Sequence, residues 1–168
     1  GLDRFFRDRF HVDGKETNFL NHYGSFYTIS GSLTAMILMQ RLLMDDSTWH
    51  HTAYETTVFG VGLMTELGLR AAVKSSFARH RPLLEFADAT AVQTQNAKPN
   101  NHLSFYSGHA STAFYTAAYV DQKIGDLLRA RNASRLYRAL SILSLYGWAS
   151  YSAYSRIEID KHYFTDVF

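Results

Sequence analysis

Between Thr17 and Gln40 the sequence contains no Asp, Glu, Lys or Arg. A stretch of this length is enough to cross a bilayer, which takes about 20 apolar residues. However, Asn18, Asn21 and His22 fall within it, and they also suit a buried helix in a soluble bundle. Further long runs of low charge follow, and the chain has only two prolines. Together these features predict an all-α protein, a helical bundle.

The rest of the pattern predicts further long helices and one long loop. Ser47 or Thr48 can cap the helix that follows the uncharged stretch. Residues 83–104 lack periodicity, so they are expected to form a loop, and a loop of this length is usually functional. The expected helices are an amphipathic surface helix over 1–16, four long helices over 17–40, 49–78, 107–131 and 134–155, and the start of a further helix near Lys161.

The length of 168 residues fits one domain, so we expect a single domain over 1–168. The first residue is not methionine, and the last expected helix stops at Phe168, which predicts truncation at both ends. The N-terminal segment Gly1-Leu2-Asp3-Arg4 carries charges and lacks the apolar core of a signal peptide.

Charge and cysteine content exclude several function classes. The net charge of +2 is too small for the usual nucleic-acid footprint, so we expect no nucleic-acid partner. The absence of cysteine excludes disulfides, thiolate metal sites and cysteine nucleophiles.

A first candidate motif places Lys74 seven residues before Arg81-Pro82. Seven residues is about two helical turns, so both cations can point the same way along one helix. Taken alone, a basic helix end of this kind is usually a solvated surface.

A second candidate is Ser107-Gly108-His109, at the predicted start of a helix. Exposed backbone N–H groups and the helix dipole favour an anion there, and Gly108 permits close approach. Ser107 adds a hydroxyl donor, and His109 can act as a general acid. A lone histidine after a glycine is more often structural.

A third candidate is the segment that carries Arg156, His162 and Asp166. If the chain is helical from His162 onward, Asp166 lies on the same face and can bind one imidazole nitrogen. The other nitrogen is then left to attack or to accept a proton. Arg156 offers a planar fork that suits phosphate oxygens.

The three motifs in this order resemble the signature of the type 2 phosphatidic acid phosphatase superfamily, which includes bacterial class A acid phosphatases and vanadium haloperoxidases. The resemblance covers about residues 56–168. Two positions depart from the usual pattern: Tyr106 replaces a proline, and Ala78 stands where many bacterial members have glycine. We expect both changes to be tolerated.

The resemblance implies a phosphate site without a metal ion or other cofactor. Lys74, Arg81 and Arg156 would bind the phosphoryl oxygens and stabilise charge in the transition state. Ser107 and the Gly108 backbone would donate further hydrogen bonds.

The resemblance also implies the catalytic roles. His162 would attack phosphorus and form a phosphohistidine, and Asp166 would orient it. His109 would protonate the leaving group and then activate water. His80 and His102 flank the motifs, but by default we expect neither to touch substrate.

The expected substrate is a phosphomonoester or diphosphate of a lipid, such as phosphatidic acid, phosphatidylglycerol phosphate or a polyprenyl diphosphate. The resemblance implies a protein of the bacterial inner membrane with its site facing the periplasm or the extracellular side. Basic residues between the third and fourth long helices would then face the cytoplasm. These residues are Lys123, Arg129, Arg131, Arg135 and Arg138.

Three alternatives remain open. They are a soluble acid phosphatase of the same superfamily, which a mean hydropathy of −0.19 favours, a vanadium haloperoxidase, and a non-catalytic helical binding module.

Overall fold

The computed structural model of the protein describes residues 1–10, 28–34, 37, 38, 41, 48–86 and 99–167. Its described part is all-helical, as predicted, and holds no strand. Residues 28–34 are helical, whereas most of the uncharged stretch lies outside the described residues. The helices are α1 (Leu2–Phe10), α2 (Trp49–Phe77), α3 (Pro82–Phe86), α4 (Gly108–Ala130) and α5 (Arg135–Glu158).

Helix α2 runs antiparallel to α4, and polar side chains join the two. The Tyr119 hydroxyl donates to the Glu55 carboxylate at 2.7 Å, and the Tyr115 hydroxyl donates to the Phe59 carbonyl at 2.7 Å. Lys123 completes the first contact with an ion pair to Glu55 at 2.6 Å. Because each buried polar group has a partner, this interface avoids the cost of an unsatisfied buried charge.

Helix α4 packs closely against α5 because small residues face each other. Ala113, Ala117 and Ala149 form one buried cluster, and Ala110 and Ala153 belong to a second. Because the side chain of alanine is short, the two helix backbones can approach closely along their length. This pairing brings the start of α4 and the end of α5 together at one end of the bundle.

Helix α1 packs against the segment that follows α5. Phe6 stacks on Phe164 with ring centroids 3.9 Å apart, and Arg7 binds the buried Asp160 carboxylate at 3.1 Å. The predicted surface helix over 1–16 is therefore observed over Leu2–Phe10, and residues 11–16 lie outside the described part.

The long helices begin and end close to the predicted positions. Thr48 caps α2 through its hydroxyl, which accepts from the His51 amide. Ser107 caps α4, with its hydroxyl accepting from the Ala110 amide, and Ser134 is the N-cap residue of α5. Helix α5 continues to Glu158, three residues beyond the predicted end.

The prediction of a helix from near Lys161 is wrong. Residues 159–160 form a turn, residues 161–162 a bend, and a single 3₁₀ turn follows over Phe164–Asp166. Asp166 closes this turn by accepting a hydrogen bond from the Tyr163 amide at 2.9 Å. A capped turn satisfies these groups locally, so a helix is not needed to bring Asp166 back toward His162.

Two further expectations need correction. Residues 83–104 are not wholly a loop, because α3 and a 3₁₀ turn over Pro99–His102 lie within or across this range, and residues 87–98 fall outside the described part. Lys74 and Arg81 do not share one helix. Helix α2 ends at Phe77, and the Arg81 amide donates instead to the Asn101 carbonyl at 2.9 Å.

In the described part of the chain, no helix combines the length and apolar composition that a bilayer crossing requires.

Helix α2 stops because Ala78 adopts a left-handed conformation, with φ of 43° and ψ of 38°. This geometry costs an L-residue about 1 kcal/mol or more, whereas glycine adopts it freely. We therefore expect Ala78→Gly to raise the free energy of unfolding by about 0.5–1 kcal/mol, as measured by urea denaturation. Ala71→Gly is the matched control: it lies on the exposed face of α2 and should lower stability by about 1 kcal/mol. Destabilisation by both variants would contradict the proposed strain at Ala78.

Candidate active site

The three motifs meet at one end of the bundle. Lys74 lies in the last turn of α2, Gly108 begins α4, and Arg156 lies in the last turn of α5. The Ser107 amide donates to the Asp166 carbonyl at 2.8 Å, which joins the start of α4 directly to the segment after α5. Three helix ends therefore converge on the turn that carries His162.

Asp166 is the centre of the hydrogen bonds in this region, and its side chain has no exposed surface. Its Oδ1 accepts from the Arg79 guanidinium at 2.7 Å. Its Oδ2 accepts from the Ser104 hydroxyl and from the Tyr163 amide. Burial alone would raise the pKa of Asp166, but contacts with His162, Ser104 and the Tyr163 amide, together with the Arg79 charge, lower it below its usual value. Asp166 is therefore a carboxylate at neutral pH.

His162 faces this carboxylate through Nδ1. Nδ1 lies 3.6 Å from Asp166 Oδ2 and 3.4 Å from the Ser104 hydroxyl oxygen. A carboxylate can only accept a hydrogen bond, and the Ser104 hydroxyl, which donates to Asp166, is left to accept one. Both oxygens therefore favour a proton on Nδ1. This assigns the free electron pair to Nε2, the nitrogen that can attack an electrophile.

Burial lowers the pKa of His162 to about 4; the Asp166 contact opposes this shift, whereas the charges of Arg81 and Lys74 add to it. The imidazole is therefore neutral at pH 7, which a nucleophile requires.

The predicted phosphate ligands share one electrostatic environment. Burial, followed by the charges of Arg81 and Arg70, lowers the pKa of Lys74 to about 8. Burial and the charge of Arg81 lower the pKa of Arg156 to about 10. Burial is also the main cause that lowers the pKa of Arg81. These shifts mean that several cations are held close together and partly out of water, an arrangement that an anion would stabilise.

His109 lies among the same cations. Burial, then the charges of Arg156, His162, Arg70 and Arg81, lowers the pKa of His109 to about 3. Within the part of the chain that the structure describes, His109 Nε2 and Arg81 Nε are buried without a hydrogen-bond partner. Buried polar atoms are normally paired, so these two atoms indicate a place where a ligand would supply hydrogen-bond partners.

Lys74, by contrast, has a partner within the protein. Its ammonium group donates to the Leu103 carbonyl at 2.7 Å. This bond fixes the ammonium near Arg81 and leaves two of its three protons for other acceptors.

Gly108 lies against the Arg70 guanidinium. A Cβ atom on Gly108 would overlap Arg70 Nη1, so a larger residue would have to displace the end of that flexible side chain. The Ser107 amide and hydroxyl are already engaged, the amide with Asp166 and the hydroxyl as acceptor from Ala110. The Ser107 hydroxyl proton and the Gly108 amide are thus the donors that this helix start can offer to an anion.

Sequence reasoning missed Arg79 and Ser104, which bind the Asp166 carboxylate, and Asp3, which binds Arg79. Arg79 lies between Lys74 and Arg81 in the first motif, where the signature specifies no residue. Ser104 precedes the second motif by three residues, and its hydroxyl is fully buried. Only the tertiary contacts distinguish these three residues from other polar residues in the chain. His80 and His102, for which no substrate contact was expected, pack edge to face with ring centroids 4.8 Å apart.

The sequence of residues 55–168 matches the profile of the PAP2 superfamily. The chain belongs to the PAP2 superfamily. No curated protein and no solved structure matches the chain. Membership of this superfamily supports a phosphatase-type function that acts on a phosphate-bearing substrate.

The lowered histidine pKa values predict how stability depends on pH. An unfolded histidine takes up a proton below about pH 6.5, whereas folded His109 and His162 do so only near pH 3 and 4. Between about pH 4 and pH 6.5 the unfolded state binds more protons than the folded state. The free energy of unfolding therefore falls as the pH falls from 6.5 toward 4. The lowered pKa of Asp166 contributes stability that is lost only below about pH 3.9, outside this window.

We expect the free energy of unfolding to fall from pH 7 to pH 5 in the wild type, and to fall by about 1–2 kcal/mol less in His109→Asn. Urea denaturation at both pH values measures this difference. His50→Asn, which changes an exposed histidine at the start of α2, should follow the wild type. Equal pH dependence in all three proteins would show that His109 is not buried in its neutral form.

Proposed function

We propose that the protein is a phosphatase that hydrolyses a phosphomonoester or diphosphate of a lipid, without a metal ion and through a phosphohistidine at His162. The observation that carries this proposal is the group of partly buried cations around a neutral histidine. Burial lowers the pKa values of Lys74, Arg81 and Arg156, and the charge of Arg81 lowers those of Lys74 and Arg156 further. A phosphoryl group between them would relieve that repulsion and would be held beside His162.

In the first proposed step, His162 Nε2 attacks phosphorus and the bond to the leaving oxygen breaks. The electron pair of that bond stays on the oxygen, which takes the proton of His109. Lys74, Arg81 and Arg156 stabilise the charge on the three remaining phosphoryl oxygens. The second step reverses these roles: His109 takes a proton from water, the water oxygen attacks phosphorus, and the bond to His162 breaks.

His109 must be protonated for the first step, although it is neutral in the ligand-free protein. Burial lowers the pKa of His109 most, and the charges of Arg156 and Arg81 add to this shift. A phosphate dianion between these two cations would offset their effect, so we expect the pKa of His109 to rise when substrate binds. Binding of the charged substrate thus favours the protonated form of His109, which the first step needs.

A lipid substrate is supported by the apolar surface near the site. A cavity of about 300 Å³ lies beside Ser107 and Asp166, and Phe105, Phe114 and Val167 form part of its lining. Such a cavity suits a substrate with an apolar group near its phosphate. The location in a bacterial inner membrane, with the site facing the periplasm or the extracellular side, stays a prediction. Large exposed side chains on α2 and α5 support a lipid environment; they include Val61, Met64, Leu69, Leu140 and Leu143.

The proposal predicts phosphate release that survives EDTA and is lost in His162→Ala. We expect turnover of phosphatidic acid in mixed micelles to fall by a factor of about 10³ or more, because His162 is the group that forms the proposed intermediate. The measurement is phosphate release at pH 6–7, with and without EDTA.

His50→Ala is the matched control, since it removes an exposed histidine far along α2 from the site and should leave turnover unchanged. Loss of activity with EDTA would indicate a metal-dependent phosphatase. Unchanged turnover in His162→Ala would exclude the phosphohistidine. Hydrolysis of p-nitrophenyl phosphate with no hydrolysis of lipid phosphates would favour a soluble acid phosphatase.

A further inference from the structure

Arg79 lies two residues before the predicted phosphate ligand Arg81 but is oriented toward a different group. Its Nη1 donates to Asp166 Oδ1 at 2.7 Å and to the Thr165 hydroxyl at 2.9 Å. Its Nη2 donates to Asp3 Oδ2 at 2.8 Å. Both ends of the guanidinium fork are therefore engaged by carboxylates, one from the site segment and one from α1.

We propose that Arg79 is a positioning residue, which holds the Asp166 carboxylate against His162 and is itself held by Asp3 on α1. This inference rests on the proposed function in that it explains how the nucleophile is kept in place. It adds to that function a residue that the motif does not specify and a role for the N-terminal helix.

The division of the Asp166 hydrogen bonds carries the proposal. Oδ2 faces Ser104, the Tyr163 amide and His162 Nδ1, whereas Oδ1 is bound by Arg79. Because Arg79 binds Oδ1, the carboxylate cannot rotate without breaking a charge-assisted hydrogen bond of 2.7 Å. Arg79 thereby keeps Oδ2 directed at the imidazole, which fixes the tautomer with Nε2 free.

The position of Arg79 is itself determined by several contacts. Its guanidinium carbon lies 4.2 Å from the centre of the Tyr163 ring, a cation–π geometry. Its carbonyl accepts from the Ser104 amide at 2.8 Å, so the same residue also places the hydroxyl that binds Oδ2. These contacts set Arg79 on the side of Asp166 away from His162.

Asp3 completes the arrangement from α1. Its Oδ2 binds Arg79, and its Oδ1 accepts from the Thr165 amide at 3.1 Å. Asp3 therefore bridges Arg79 and the residue next to Asp166. Arg79 is therefore shared between two carboxylates, and its side chain is only about one-third exposed.

The decisive experiment compares Arg79→Gln with the wild type in turnover and in the binding of inorganic phosphate, measured as product inhibition. We expect kcat to fall about 10- to 100-fold, as when a supporting partner of a catalytic group is lost, while the inhibition constant of phosphate changes less than about threefold. Arg79→Lys should retain intermediate activity, because an ammonium can pair with one carboxylate but cannot span two.

The α1 contact is tested by Asp3→Asn, with Asp8→Asn as control. As a single substitution, Asp3→Asn should lower kcat a few-fold. Added to Arg79→Gln it should have no further effect on kcat, since the two residues act as a unit. Asp8 lies on the same helix with an exposed carboxylate, so its variant should be fully active.

Each outcome decides one point. Wild-type kcat in Arg79→Gln would overturn the inference, and so would a loss of phosphate affinity as large as the loss in kcat, because it would make Arg79 a phosphate ligand. An inactive wild type would instead refute the proposed function. In that case ¹⁵N NMR of His162 still tests the positioning role: we expect the Nδ1-protonated tautomer in the wild type and a mixture in Arg79→Gln. One unchanged tautomer in both proteins would overturn the inference.

Discussion

A buried carboxylate must be compensated by its neighbours, and in this protein the residues that compensate Asp166 also form the site. Each of its bonds comes from a different part of the chain: Arg79 follows α2, Ser104 precedes α4, and the Tyr163 amide lies after α5. Losing any one of these donors would leave part of a charge unpaired in the interior, which is costly. The requirement to satisfy Asp166 therefore brings three segments to one point and holds His162 there.

The helix ends contribute to the electrostatics of the same region. Lys74 and Arg156 lie in the last turns of α2 and α5, where the negative ends of the helix dipoles favour cations. Gly108 begins α4, whose positive end favours an anion. Two helix ends thus help to keep cations in a partly desolvated place, and the third favours an anion. This arrangement suits the phosphate site that we propose.

The sequence predicted the all-helical fold and the residues that meet at the site, because their chemistry lies in residue types at fixed spacings. It did not predict the turn at His162, because a separation of four residues suits a helix and also a capped 3₁₀ turn. The turn is favoured by the Asp166 carboxylate, which accepts from the Tyr163 amide. Nor did it predict Arg79, since its partner Asp3 is 76 residues away in the chain. Such a contact depends on how α1 packs, and no local pattern encodes it.

The most direct test of the account is to trap the covalent intermediate. The protein would be quenched in alkali during turnover of a substrate labelled with ³²P in its transferable phosphate, and the labelled peptide would be mapped by mass spectrometry. We predict a phosphoryl group that is stable in alkali, labile in acid, and attached to His162. A label on another residue, or the absence of any label while rapid-quench kinetics show a burst of the leaving alcohol, would contradict the central role of His162.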